Sequence, residues 1–492
     1  MDQFDVVIIG SGPGGYSAAM RAIDYGLNIC LIEGNHLGGT GVMNGALTSK
    51  TMYELSQDYS IAARVDRGYR ISSLAVDFNE VKKTVISAAK EKQYQMLSQI
   101  ETFSPGKSKN GTITLEYGWA TFKDQNTVIC EGKSGKKEIK GKNFIIATGT
   151  RPRVIPGLDI DGKTIITSEH ILDLTKFPER MLIIGSGIIG CEFATIFSNF
   201  RQTEVHLLDR ANRVLPYEDD DVSEFVSRNL EENGVNVHHT AHLRTIRKHE
   251  EHLDVVLDYD DGHSKVIEVD VALVAIGRIP NTNNMGLEKI GVDVKENGTV
   301  ETKDDCMLWD KNGTCHIYAV GDITGHTQLY SVAELQGRRA VEKLTDIPPY
   351  PLDYSNMSTL MFFRPEVAAV GMNEKQLRQK GIAHRVATYS NKLVNRAIAM
   401  RNTNGFVKIL VSDDNRILGM RAAGPQASAF IVSVAHLINQ GNSLQEVLRI
   451  FYPHPSVAEG IQECLRLFGS RSIFKPDAFP DLISIREWRP EN

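Results

Sequence analysis

Residues 4–9, FDVVII, form an apolar run rich in β-branched side chains, followed at once by GSGPGG and the helix-compatible YSAAMRAIDYG. The next segment, LNICLIE, is again a buried-strand pattern and closes on Glu33. Strand, glycine turn, helix, strand and acid in that order predict a βαβ unit. The same order returns at 181–209, where MLIIGSGIIG leads into CEFATIFSNF and TEVHLLD closes on Asp209, an internal repeat of a nucleotide-binding layout. Between the copies, 77–103 reads as one helix and 108–146 as short strands and turns. From about 350 the texture shifts to alternating strands, GFVKILV and RILGMRAAG, then the helical SAFIVSVAHLINQG; with the preceding DIPPYP this predicts a further domain.

The glycine spacings carry chemistry. Gly10 permits a tight turn, Gly12, with Gly14 beyond it, lets backbone approach a pyrophosphate, and Gly15 lets helix and strand pack closely. The following helix N-terminus offers unpaired N–H groups to phosphate. Glu33 falls 23 residues after Gly10, where a carboxylate accepts hydrogen bonds from a ribose diol. Gly185, Gly187 and Gly190 repeat the spacing, with Asp209 24 residues after Gly185. An acid there disfavours a 2′-phosphate, so NAD(H) is expected over NADP(H), although Arg210 and Arg213 stand nearby. A glycine turn serving packing alone is the plainer alternative for either copy. Two such sites suggest two redox cofactors, and a nicotinamide with a flavin is the natural pair.

Composition narrows the class. The chain has 492 residues, 41% apolar and 24% charged, as a soluble multidomain protein has. A net charge of −6 argues against a general nucleic-acid binder. No run of about 18 apolar residues predicts a membrane span. The strand pattern starts within the first residues, so a cytoplasmic location is expected. Cys30, Cys130, Cys191, Cys306, Cys315 and Cys464 form no CxxC or zinc-like spacing, so buried thiols and no metal site are expected.

Several motifs together resemble the flavin-dependent disulfide oxidoreductases, closest in wording to dihydrolipoamide dehydrogenase. They are the two fingerprints, GGT with SK at 38–50, ATGTRPR at 147–153, AIGRIPNT at 275–282, YAVGDIT at 318–324 and HPSVAE at 454–459. The resemblance implies an α/β fold with two Rossmann-like domains and a C-terminal α+β dimerisation domain. The FAD domain would take 1–150 and 275–347, the NAD domain 151–274, and the interface domain with a C-terminal extension 348–492, in a homodimer. FAD and NAD(H) are the implied cofactors. Gly39, Thr40, Thr148, Gly149, Gly277 and Asp322 would line the flavin's path, and Lys50 would sit beside its ring near Glu192. His454 and Glu459 match the family's base dyad, in which the Glu orients the imidazole that deprotonates a substrate thiol.

One departure stands out. The family's loop reads GGT, cysteine, four residues, cysteine, whereas Gly41 and Ala46 occupy those positions here and Thr48 replaces a proline. That dithiol passes electrons from reduced flavin to a disulfide substrate, so disulfide reduction is not expected. Two readings follow. The chain is an NADH-dependent flavin oxidoreductase using a quinone, a dye or oxygen, or it is a scaffold reused for binding. It resembles a small fungal branch lacking these cysteines and associated with microtubules, which implies tubulin as partner and a cytoskeletal association. The hairpin GKSGKKEIKGK, with Lys133, Lys136, Lys137, Lys140 and Lys142, is the candidate contact for acidic tubulin tails or a solvated turn. The tail from 472, with Phe474, Phe479, Ile483 and Trp488, is expected to pack over a dimer interface or to offer a docking surface.

Overall fold

The computed structural model describes residues 3–490 except 304–305, 311–315, 346, 349–350 and 442. Cys315, three residues of the DIPPYP segment (Asp346, Pro349, Tyr350) and the last two residues of the tail lie outside the described residues. The chain forms two units: Met1–Phe177 with Val274–Leu352, and Pro178–Leu273 with Asp353–Asn492.

In the first unit, strand Gln3–Ile9 pairs in parallel with Asn28–Glu33 on one side and Gly135–Ile146 on the other. The sheet runs Met307–Asp310, His316–Ala319, Gly135–Ile146, Gln3–Ile9, Asn28–Glu33, Thr112–Tyr117. Both of its faces are covered. Val6 and Ile8 pack with Ala18, Ala19 and Ala22 of helix Pro13–Asp24 and with Ala340 and Val341 of helix Tyr330–Leu344. Val7 and Ile9 pack with Phe122, Phe144 and Ile317. Burial on two faces is why FDVVII reads as a continuous apolar run rather than an alternation, and each such side chain contributes about 1.5–3 kcal/mol. The two helices touch where only glycine fits: a methyl on Gly337 would lie 2.1 Å from the carbonyl oxygen of Gly14. The helix expected at 77–103 spans Phe78–Thr102, and Asp77 caps it by accepting from the N–H groups of Asn79 and Glu80.

Among the described residues, the second unit contributes to three sheets. Strands Val235–His238, Glu204–Leu208, Arg180–Ile184 and Val271–Val274 lie in that order, the first three mutually parallel. An antiparallel three-stranded sheet, Ala241–Lys248, Leu253–Tyr259 and Ser264–Val269, follows in the chain. The C-terminal portion builds a six-stranded antiparallel sheet whose outer strand, Ile483–Trp488, comes from the tail. That strand pairs with His384–Ser390, and Phe479, Leu482 and Ile483 join the core beneath the sheet. The apolar tail residues are therefore spent largely on the chain's own sheet edge, closing an otherwise open row of backbone donors and acceptors.

A buried charge cluster ties this unit together. Lys408, with 1% of its side chain exposed, places its ammonium 2.9 Å from Asp219, 2.8 Å from Asp221 and 2.6 Å from Glu374. Arg421 pairs with Glu218 at 3.0 Å, both buried.

Candidate functional site

The two glycine turns are built alike. Gly10 has φ 100° and Gly185 φ 108°, left-handed backbone that favours glycine. A methyl on Gly15 would lie 1.8 Å from the oxygen of Gly10, and one on Gly190 1.8 Å from that of Gly185, so both third glycines are required for packing. Gly12 and Gly187 differ. Each sits in extended backbone at the N-cap of a helix, Pro13–Asp24 or Ile188–Phe200, with no side-chain cap bond, and a methyl there would meet nothing within 4 Å. Neither conformation nor packing demands glycine at these two positions. What remains is clearance in front of a helix N-terminus, the cradle a dinucleotide pyrophosphate fits.

The acids closing each copy are also held alike. Buried Glu33 accepts from the Ser11 N–H at 2.9 Å, the Ser11 hydroxyl at 2.5 Å and the Asn35 N–H at 2.6 Å. Asp209 accepts from the Ser186 N–H at 2.8 Å, from the Ser186 hydroxyl, and from the Ala211 N–H at 2.7 Å. Ser11 and Ser186, the middle residue of each GSG, were not singled out from sequence. Their recurrence between the first two glycines of both copies was the available signal.

The loop from Gly38 folds against the first turn. Gly38 donates its N–H to the Ser11 carbonyl at 3.2 Å, and a methyl on Gly39 would lie 3.1 Å from the Gly12 Cα. Thr40 is exposed beside it. A methyl on Gly41 would come within 2.8 Å of both the Pro13 Cγ and the Tyr330 ring. Ala46 opens helix Ala46–Ala62, which carries the buried Thr48 and the half-buried Lys50. Gly41 and Ala46 therefore flank the short segment that joins two helices, and the space beside Gly41 is filled.

Across the first unit, Thr148 donates its hydroxyl to the Asn281 carbonyl at 2.9 Å, and Asn281 donates back to the Thr148 carbonyl at 2.9 Å. Gly149, at φ 64°, and Gly277, at φ 108°, both face open space. Asp322 accepts from the Thr150 hydroxyl at 2.7 Å, and Arg278 donates to that same hydroxyl at 2.8 Å. Burial pushes the Asp322 carboxyl up, with Thr150 and Arg278 pulling the other way. Thr150 and Arg278 are thus supports of Asp322; both lie inside the motifs ATGTRPR and AIGRIPNT, although neither was singled out there.

In the second unit, buried Glu192 accepts from the Phe362 N–H at 3.2 Å. Lys50 and Glu192 belong to different units, so each is placed only within its own. His454 and Glu459 are brought together: Nδ1 lies 2.7 Å from a Glu459 oxygen, whose other oxygen accepts from the Ser456 N–H at 2.9 Å. The imidazole is 61% exposed, and Phe451, 97% exposed, precedes it.

The described cysteines offer no poised thiolate. Cys30, Cys130, Cys191, Cys306 and Cys464 are free and buried. Burial pushes the thiols of Cys30, Cys130, Cys191 and Cys464 up, the direction opposite to a nucleophile. The basic hairpin, strands Thr127–Gly132 and Gly135–Ile146, is partly neutralised: Lys136 pairs with Glu131 at 3.3 Å, Lys142 with Asp5 at 2.7 Å, and Lys137 with Glu116. Among the described residues, no helix is long and apolar enough to cross a membrane.

A sequence profile described as pyridine nucleotide-disulphide oxidoreductase matches residues 4–337, and the dimerisation-domain profile of the same name matches 357–465. The chain belongs to the pyridine nucleotide-disulphide oxidoreductase family. Members of this family, including the lipoamide dehydrogenases, use FAD and NAD(H). It is 31% identical over 469 residues to dihydrolipoyl dehydrogenase 1, mitochondrial, of Arabidopsis thaliana, covering 94% of this chain and 90% of that one. The dihydrolipoyl dehydrogenase of Geobacillus stearothermophilus is 30% identical over 459 residues, covering 93% and 94%. Among solved structures, LpdA of Mycobacterium tuberculosis superposes with a TM-score of 0.85 at 24% identity, over 95% of this chain and all of that one, a likeness of fold. The HOCl-induced flavoprotein disulfide reductase RclA of Escherichia coli gives 0.81 at 26% identity, over 94% and 99%. The mixed α/β architecture with a C-terminal dimerisation domain is that of the family, and the dimerisation domain supports a homodimer.

Proposed function

We propose that this chain is an FAD- and NADH-binding flavoprotein of the lipoamide dehydrogenase type that does not reduce lipoamide. The observation that carries the reading is the Gly41 position: it lacks a thiol and its neighbouring space is filled by Pro13 and Tyr330. The cradles at Gly12 and Gly187 support retention of both dinucleotides, with Glu33 and Asp209 accepting from ribose hydroxyls. Asp322, supported by Thr150, would hold the flavin's ribityl chain, and Thr148, Gly149, Gly39, Thr40 and Gly277 would line its path. Held there, FAD would supply two-electron chemistry with NADH as the hydride donor. Lys50 and Glu192 would supply charge beside that exchange. His454 is held by Glu459, but a substrate thiol it served would find no disulfide partner at Gly41 and Ala46.

On this reading the electron acceptor would be a quinone or oxygen rather than a disulfide. The purified protein is expected to be yellow, to bleach anaerobically with NADH, and to give no lipoamide turnover at any enzyme level. A colourless holoprotein or measurable lipoamide reduction overturns the proposal.

The alternative use, microtubule association, rests on the resemblance to the fungal branch. The ion pairs of Lys136, Lys137 and Lys142 leave the hairpin a weaker partner for acidic tails than its sequence suggested. Co-sedimentation with microtubules that is lost on converting Lys133 and Lys140 to Glu would favour that use; no sedimentation removes it.

A further inference from the structure

Strands Ala241–Lys248 and Leu253–Tyr259 pair in antiparallel register down to Lys248 opposite Leu253. The four residues between them, His249–His252, make the turn, closed by the His249 N–H donating to the His252 carbonyl at 2.9 Å. This closure stacks the two imidazoles, with centroids 4.5 Å apart and planes 19° from parallel. Both rings aim Nε2 at one carboxylate: His249 lies 3.0 Å from one oxygen of Asp254 and His252 3.5 Å from the other. One ligand atom from each of the three residues lies within 4.8 Å of the others.

We propose that His249, His252 and Asp254 form a binding site for a divalent transition-metal ion of the Zn2+ type. Four-coordinate zinc has bonds of about 2.0–2.1 Å to imidazole nitrogen and carboxylate oxygen, which puts adjacent ligand atoms ~3.3 Å apart. The two nitrogen–oxygen separations here, each to a different oxygen of Asp254, lie within a few tenths of an ångström of that value. Two imidazoles with one carboxylate favour zinc, copper or nickel over magnesium or calcium, which prefer oxygen donors. Asp254 offsets part of the ion's charge, and Glu250 and Glu251 within the turn add negative potential. All three side chains are partly exposed, so an ion has access and water can complete its coordination. Cysteine spacing predicts no metal site in this chain; the pattern that carries the proposal is His-x-x-His-x-Asp across a hairpin turn.

The test uses the full-length holoprotein, stripped with chelator and titrated with Zn2+ against a chromophoric competitor. Wild type should take up one equivalent that the His249→Ala/His252→Ala double variant does not, and Asp254→Asn should weaken binding at least tenfold. His263→Ala, on the same sheet, should bind as wild type does. Cu2+ bound to the stripped protein should show nitrogen hyperfine structure in its EPR spectrum, lost in the double variant. Equal stoichiometry and affinity in wild type and double variant, with unchanged flavin content as the check on folding, overturns the site.

Discussion

The ring of Tyr330 lies against Gly41, so close that a methyl on Gly41 would meet its Cε2 at 2.8 Å and its Cδ2 at 2.9 Å. Overpacking of this kind costs about 1–3 kcal/mol. Gly41→Ala should therefore lower the unfolding midpoint, and the loss should shrink in a Tyr330→Ala background, which a double-mutant cycle reads as coupling. Gly41→Cys/Ala46→Cys should gain little lipoamide turnover alone and more when Tyr330→Ala is added, as followed by disulfide content and the lipoamide assay. Additivity in the cycle would mean that Tyr330 is merely a neighbour.

The third glycine of each fingerprint permits a cleaner dissection. A methyl at Gly15 or Gly190 would sit 1.8 Å from a backbone oxygen, which no side-chain rotation relieves. Gly190→Ala should leave the yellow colour intact while weakening NADH reduction of the flavin at least tenfold. Gly15→Ala should instead yield protein largely free of flavin. Absorbance spectra and anaerobic NADH titration separate the two; identical losses from both variants would contradict separate cofactor sites.

The buried cluster around Lys408 predicts a pH dependence. Burial opposes ionisation of Asp219 and Glu374, yet the Lys408 ammonium, together with Arg421 and the Glu374 N–H at Asp219 and Arg486 at Glu374, more than offsets it and holds both carboxyls below their usual range. Lys408 itself is opposed by burial and raised on balance by Asp221, Asp219 and Glu374. Depressed carboxylates stabilise the fold above their unfolded values of about 4 and lose that contribution as pH falls through the folded values. The raised lysine contributes fully below about 10.4 and loses it as pH climbs further. Lys408→Met strands these acids and should cost about 3–5 kcal/mol near neutrality, a deficit that narrows toward pH 4 as they protonate. Denaturant unfolding of both proteins across pH checks this, and a pH-independent deficit would point to lost packing instead.

How far the sequence disclosed these features depended on whether the partners were local. FDVVII followed by GSGPGG wrote its own strand, turn and helix, because the apolar run and the glycine spacing are contiguous. Tyr330 reaches Gly41 only through the helix pairing that brings Gly337 to Gly14, a register no local pattern records. The hairpin lysines looked unpaired because Glu116 and Asp5 arrive from other strands. The apolar residues of the tail are visible in the sequence, but the strand edge at His384–Ser390 that Ile483–Trp488 joins is not, so the sequence alone leaves an interface cover and a docking surface both open. That positions 41 and 46 carry no thiol is plain from the sequence; that Pro13 and Tyr330 crowd Gly41 is not.

Buried His206 and His238 and the half-buried Tyr259 form a chain of rings joined by short polar contacts. His206 Nδ1 lies 2.9 Å from His238 Nε2, and His238 Nδ1 lies 2.6 Å from the Tyr259 hydroxyl. Burial pushes His238 down to about 4, helped by the charges of His206, Lys265 and His239. Burial also lowers His206, although Glu204 acts against it. A histidine whose folded value lies below its unfolded value of about 6.5 binds fewer protons when folded, so its neutral form supports the fold above pH 6.5. That support is lost as pH falls toward 4, up to about 3 kcal/mol for His238. The window from 6.5 to 5 lies above carboxylate titration, so a decline there reports the histidines. Because the Asp209 N–H donates to the His238 carbonyl at 3.1 Å, NADH affinity should decline over the same range. His238→Gln should flatten both profiles, measured by denaturant unfolding and NADH titration. A wild-type profile level from pH 7 to 5 would show that the pair accepts a proton without cost.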